Sequence, residues 1–153
     1  MFKPILSISL QLCLCALLLG AATKSHAQSK SVKAIQAVMK KQSEDWNKGD
    51  IAAFMEGYWK SDQLQFIGSR GPSYGWQKTY DNYKKSYPDK SAMGQLEFEV
   101  SDIDKRSRKV YTMIGSWKLS YPDKEALGGY FLLVWKKIKG KWVIVADHTN
   151  LSK

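Results

Sequence analysis

From residue 31 onward, apolar and polar positions sort the chain into helical and extended stretches. Over residues 31–48, Val32, Ile35, Val38, Met39, Gln42 and Trp46 recur at three-and-four spacing, and Lys33, Lys40, Lys41, Glu44 and Asp45 fill the other faces. That is the period of an amphipathic helix. Gly49 predicts its end, because glycine enters the left-handed region without a Cβ clash. Asp50 then predicts the N-cap of a second helix over 51–59, made sticky by Ala52, Phe54, Met55 and Tyr58. Residues 63–68 (QLQFIG) alternate through Leu64 and Phe66 and predict a short strand. Residues 69–75 (SRGPSYG) hold two glycines and a proline and predict a loop. Trp76, Tyr80 and Tyr83 mark one face of a third helix over 76–86.

The remainder is extended. Leu96, Phe98 and Val100 alternate with Glu97 and Glu99, the pattern of a half-buried strand, and Asp102 and Asp104 read as part of a charged turn. Residues 109–120, 127–138 and 141–150 predict three longer strands, the last two joined by a turn at Lys139-Gly140. Short connections between neighbouring strands predict an antiparallel sheet, and three helices followed by a meander predict an α+β domain. Ser-Tyr-Pro-Asp-Lys occurs at 86–90 and again at 120–124. The flanking segments do not match, so the pentapeptide reads as turn chemistry used twice rather than as a duplication.

The N-terminus changes the picture. Residues 5–20 are an uncharged apolar run after Lys3, and Ser25 and Ala27 put small residues at the two positions that a signal peptidase reads. Residues 1–27 therefore predict a cleaved secretory signal peptide, and residues 28–153 a single exported domain, periplasmic or secreted. The run is shorter than the ~20 residues of a spanning helix, so no membrane association is expected after cleavage. Cys13 and Cys15 both lie in this segment, which leaves the mature chain without a disulfide or a thiol nucleophile. Its core must supply the stability, and about 126 residues suffice for one domain. The net charge of +10 includes Lys3 and Lys24. The remaining lysines are scattered, the pattern of a solvated basic surface, and nucleic acid is not an expected partner.

The order of these elements, with Trp46-Asn47-Lys48-Gly49-Asp50 between two helices and Lys141-Trp142-Val143-Ile144-Val145-Ala146-Asp147-His148-Thr149-Asn150 as the last strand, resembles the nuclear-transport-factor-2-like superfamily. Within it, the small ketosteroid-isomerase-like and SnoaL-like domains are the nearest in pattern. The resemblance covers nearly all of 31–150. It implies a cone, or cystatin-like roll: a curved antiparallel sheet wrapped around the long N-terminal helix, enclosing an apolar pocket. It also implies homodimers paired through the outer face of the sheet. The isomerase chemistry does not carry over residue by residue. The carboxylate base of the short strand falls at Phe66, and the tyrosine donor of the first helix falls at Gln42. An amide can hydrogen-bond an oxyanion, but it offers less than an acidic hydroxyl.

His148 is the one histidine outside the signal segment. Strict alternation puts it on the side of Trp142, Ile144 and Ala146, and the resemblance implies that this side faces the pocket. It is the candidate catalytic group, as a general base or ligand anchor; the competing reading is a structural histidine at the sheet end. Asp147, its neighbour, is then expected to face outward. Candidate ligand contacts are Gln42, Trp46, Tyr58, Phe66, Trp76, Trp117 and Phe131, with Arg70 at the mouth; these rings can equally be plain core. One histidine without cysteines predicts no metal site. Phosphate loops, dinucleotide fingerprints and G-x-S-x-G are absent, so no cofactor and no serine hydrolase is implied. Two function classes remain. One is a pocket for a small apolar or aromatic molecule, with isomerase- or cyclase-like proton transfer as its chemistry if it turns substrate over. The other is a non-catalytic binding or dimerisation module acting through the outer sheet face.

Overall fold

The structure, a computed structural model, describes residues 29–152. The signal segment predicted over 1–27 lies outside them. Helix α1 spans Lys30–Lys48. The Ser29 hydroxyl caps it by accepting from the Val32 amide at 3.2 Å, and Gly49, at φ 86°, closes it as the sequence predicts. Its buried stripe is Ile35, Met39, Gln42, Asp45 and Trp46. Helix α2 spans Ile51–Met55, capped by the Asp50 carboxylate on the Ala53 amide at 2.9 Å. It stops short of the predicted residue 59 because the chain turns to meet the sheet: the Trp59 amide donates to Ile144 O, and the Ile144 amide donates to Gly57 O, each at 2.9 Å.

Six strands form one curved sheet: β1 Gln65–Gly68, β2 Gly71–Tyr74, β3 Gln95–Ser107, β4 Val110–Ser120, β5 Leu127–Ile138 and β6 Lys141–Thr149, in the order β2-β1-β6-β5-β4-β3. Helices α3 (Trp76–Ser86) and α4 (Lys90–Met93) sit between β2 and β3. The architecture is the predicted α+β roll, with four corrections. The 69–75 segment is not a loop. Its second half is β2, paired antiparallel with β1, and Pro72 is tolerated there because β2 is the sheet edge. The sheet is not wholly antiparallel, since β1 pairs parallel with β6. Asp102 and Asp104 lie inside β3, paired with Ile114 and Thr112, rather than in a turn. A fourth helix exists because the first Ser-Tyr-Pro-Asp-Lys copy caps it, Asp89 accepting from the Ala92 amide at 2.8 Å.

Curvature comes from irregular pairing. β3 carries a bulge between Val100 and Asp102, opposite Gly115 of β4. A Cβ on Gly115 would stand 2.2 Å from Glu99 O and 2.6 Å from the Phe131 ring, so only glycine permits this approach. Bulges bend a strand and raise its twist. β3 has another irregularity between Lys105 and Ser107, and a further bulge lies in β6, where Val145 is the extra residue between the pairs Trp135–Ile144 and Val134–Ala146.

The core packs α1 and α2 against the concave sheet face, with Trp135 and Met113 fully buried. Two indoles in it make a usable contrast. Trp46 Nε1 donates to Met93 O at 3.1 Å, whereas Trp135 Nε1 has no acceptor among the described residues. Trp46→Phe therefore strips a buried carbonyl of its donor, at about 1–3 kcal/mol, beyond the ring loss that both substitutions share. Urea denaturation is expected to find Trp46→Phe the more damaging by that margin; equal losses would contradict this account.

Candidate functional site

Between α1, α3 and the concave sheet face lies an open cavity of about 680 Å³. The aromatic rings around it are fixed in the walls. Trp46 sits edge-on to Phe54 at 5.1 Å and to Tyr87 at 4.7 Å. Trp117 Nε1 donates to the Thr149 hydroxyl at 2.9 Å, and Phe98 meets Phe131 edge-on at 5.8 Å. Phe66 stands edge-on to Tyr83 at 5.8 Å.

The β6 bulge decides which polar group enters this space. Before Val145, the even-numbered Trp142 and Ile144 face the core. The extra residue shifts the phase, so that Asp147 turns inward and His148 outward. Asp147 is 6% exposed and lines the cavity. His148 is exposed on the outer sheet face, paired with Leu132 of β5 and Ile67 of β1. This reverses the expectation from strict alternation. The sequence carries no mark of the bulge, because residues 142–146 are apolar throughout and either phase looks the same.

Tyr58 is aimed at Asp147 by its backbone. It forms a parallel bridge with Ile144, three residues ahead of the carboxyl. Its hydroxyl donates to Asp147 Oδ2 at 2.8 Å, and both groups are buried. The other oxygen, Oδ1, has no partner among the described residues. Burial disfavours the carboxylate more than the Tyr58 hydrogen bond favours it, and the Asp147 pKa is pushed up to about 7. Burial, reinforced by the Asp147 charge and by Tyr83, holds the Tyr58 hydroxyl well above its ordinary range, so it stays a donor. Burial does the same to Tyr83, with Asp147 adding to the effect and Tyr58 opposing it.

Gln42 is the second polar group of the floor. It is 2% exposed; its Nε2 donates to Phe54 O at 3.1 Å and its Oε1 has no partner among the described residues. A Cβ on Gly57 would stand within 2.4–2.8 Å of the Gln42 side chain, so that glycine is what lets the amide lie there. Unpaired buried oxygens on residues that line a cavity are unusual and call for a physical account.

Of the residues singled out from the sequence, Gln42, Trp46, Tyr58, Phe66, Arg70, Trp117 and Phe131 line the cavity. Trp76 does not. Its indole donates to Met55 O at 3.0 Å behind α2, and its ring stacks on Tyr80 at 5.3 Å. Asp147 and Tyr83 were not anticipated as wall residues. The resemblance puts Phe66 where an isomerase carboxylate would stand, and Phe66 is paired in register with Asp147 on the adjacent parallel strand. A carboxyl thus sits one strand away from the expected position. Titrating near neutrality and reached by a fixed hydroxyl, it is able to donate a hydrogen bond when protonated and to accept a proton when ionised.

The raised pKa has a stability consequence. Between pH about 4 and about 7 the folded chain keeps the Asp147 proton that the unfolded chain has released, so stability falls as pH rises through this window. The loss is of the order of 4 kcal/mol and levels off above pH about 7. In Asp147→Asn this contribution disappears, and urea denaturation across pH 4–8 is expected to give a flatter profile than the parent. Parallel profiles would mean that Asp147 is not buried as a neutral acid.

No protein-family model matches the chain, and no curated protein matches it. Solved structures do. An NTF-2-like protein of unknown function from Shewanella oneidensis is 38% identical, covering 78% of this chain and 98% of its own, with a TM-score of 0.75. A ketosteroid-isomerase-like protein from Erwinia carotovora atroseptica is 14% identical, covering 82% of this chain and 98% of its own at a TM-score of 0.67. A domain of unknown function with a cystatin-like fold from Nostoc punctiforme is 19% identical, covering 79% and 76% at a TM-score of 0.67. The last two share the fold. The first, with its higher identity across nearly its whole length, shows the family: this chain belongs to the nuclear transport factor 2-like superfamily.

Proposed function

We propose that the domain is an exported binder of a small, largely apolar molecule, held in the aromatic-walled cavity and hydrogen-bonded at its floor by Asp147. The observation that carries this reading is a buried carboxyl on the wall of an open aromatic cavity, its Oδ1 without a partner among the described residues. A ligand carbonyl that accepts from the neutral carboxyl would satisfy it, with Tyr58 completing the other oxygen. An ionised Asp147 would take a proton from a carbon acid and return it, which is isomerase- or cyclase-like chemistry with Asp147 rather than His148 as the base. Planar cyclic ketones, steroid enones among them, fit the wall chemistry. Thermal-shift titration is expected to show such a ketone binding the parent protein, about tenfold more weakly in Asp147→Leu and more weakly above pH 7. A ketone series that binds both proteins alike would sink the reading.

The export and pairing expectations belong to the same proposal. Support for pairing comes from the outer face, where Ile114, Leu132, His148 and Ile67 form one in-register row across four strands, with Tyr130 61% exposed beside it. An apolar row through a sheet centre suits a self-complementary contact. Expressed at full length in a bacterium, the protein is expected in the periplasm with a mass that begins at Gln28, sedimenting as a dimer that Leu132→Lys converts to monomer. A cytoplasmic product of full mass would refute export, and a monomeric parent at micromolar concentration would refute pairing.

A further inference from the structure

Apart from Asp147, every charged side chain on the cavity wall among the described residues is a cation: Arg70, Lys78 and Lys124. They come from three separate elements, the β1–β2 turn, the first turn of α3 and the β4–β5 loop. All three are exposed, and none forms an ion pair among the described residues, whose salt bridges lie on α1 and β3. Two are held in place by uncharged contacts. Arg70 donates through a terminal nitrogen to the Ser86 hydroxyl at 3.1 Å, and Lys124 Nζ lies 3.9 Å over the ring of Tyr121, itself a wall residue. Asp123 and Glu125 flank Lys124 in the chain but do not line the cavity.

The cavity is therefore polarised along its depth. Its rim is cationic, its walls are aromatic, and its floor holds a carboxyl and an amide, each with an unpartnered oxygen. Building on the pocket reading, we infer that the ligand is an amphipathic organic anion. Its carboxylate, sulfonate or phosphate stays at the rim among Arg70, Lys78 and Lys124, its apolar body fills the walls, and an uncharged polar group reaches Asp147. The opposite orientation is disfavoured, because it would take the anion out of water and away from all three cations, beside an acid whose ionised form would repel it. Arginine supplies a fork suited to an oxyanion, and the lysines add charge.

Two fluorescent probes with the same rings test this: anilinonaphthalene sulfonate and the uncharged N-phenylnaphthylamine. The sulfonate is expected to bind about tenfold tighter at low salt, an advantage that raised ionic strength reduces. The double variant Arg70→Gln/Lys124→Gln should bring the two affinities to within about twofold, mainly by weakening the sulfonate. Lys141→Gln, on the far β5–β6 hairpin, changes the net charge without touching the rim and should leave the preference standing. Equal affinities in the parent, or a preference that falls as much in Lys141→Gln as in a matched Arg70→Gln single variant, would overturn the rim assignment while leaving the pocket intact. Failure of both probes to bind would remove the pocket reading together with this one.

Discussion

The site depends on the phase of strand β6. A strand presents alternate residues to opposite faces, and one extra residue reverses every assignment beyond it. Val145 is that residue. Beyond it, Asp147 is directed at the Tyr58 hydroxyl and the cavity, and His148 joins the apolar row outside. The parallel pairing with β1 and the bridge at Tyr58 hold the shifted segment on its free side. The acid, its hydroxyl partner and the opposing Phe66 are thus consequences of a single irregularity in backbone pairing.

A cone of this kind must resist collapse, since aromatic side chains gain by filling empty space. Here directional bonds oppose that. Trp46 is tied to Met93 O, Trp117 to Thr149 and Trp76 to Met55 O, so each indole is fixed by its polar end as well as by packing. Tyr83 is held among Trp46, Phe54 and Phe66 at centroid distances of 6.0, 5.4 and 5.8 Å. The floor works against stability, because a buried carboxyl is costly unless neutral or fully paired. Such local cost, concentrated at the floor of an open cavity, is the pattern of a functional site rather than of a structural core.

The sequence conveyed the architecture well, because its markers are local. The periodicity of α1, its glycine stop, the Asp50 cap and the long alternating strands were all legible. So was the family resemblance carried by residues 46–50 and the final strand. Features that need a partner strand to define them were not. The β2 edge strand hid behind two glycines and a proline, which suit a loop equally well. The β6 bulge leaves no trace in five consecutive apolar residues, so strict alternation turns His148 inward where the structure turns Asp147. Trp76 failed for a related reason: helical spacing fixes which residues share a face, not which cavity that face meets.

The bulge also changes what variation can do to this pocket. In most binding sites a new floor group requires a substitution. Here acid and imidazole are adjacent in the chain, and which one faces inward is set by whether Val145 is accommodated as a bulge or paired in the regular ladder. Deleting Val145 would only regularise the strand and leave Asp147 inward, whereas a strand that kept Val145 but paired it regularly would turn Asp147 out and bring His148 to the floor, a group that carries positive charge when protonated. Backbone pairing, rather than residue identity, is the variable through which related chains with the same closing residues would acquire opposite pocket chemistries.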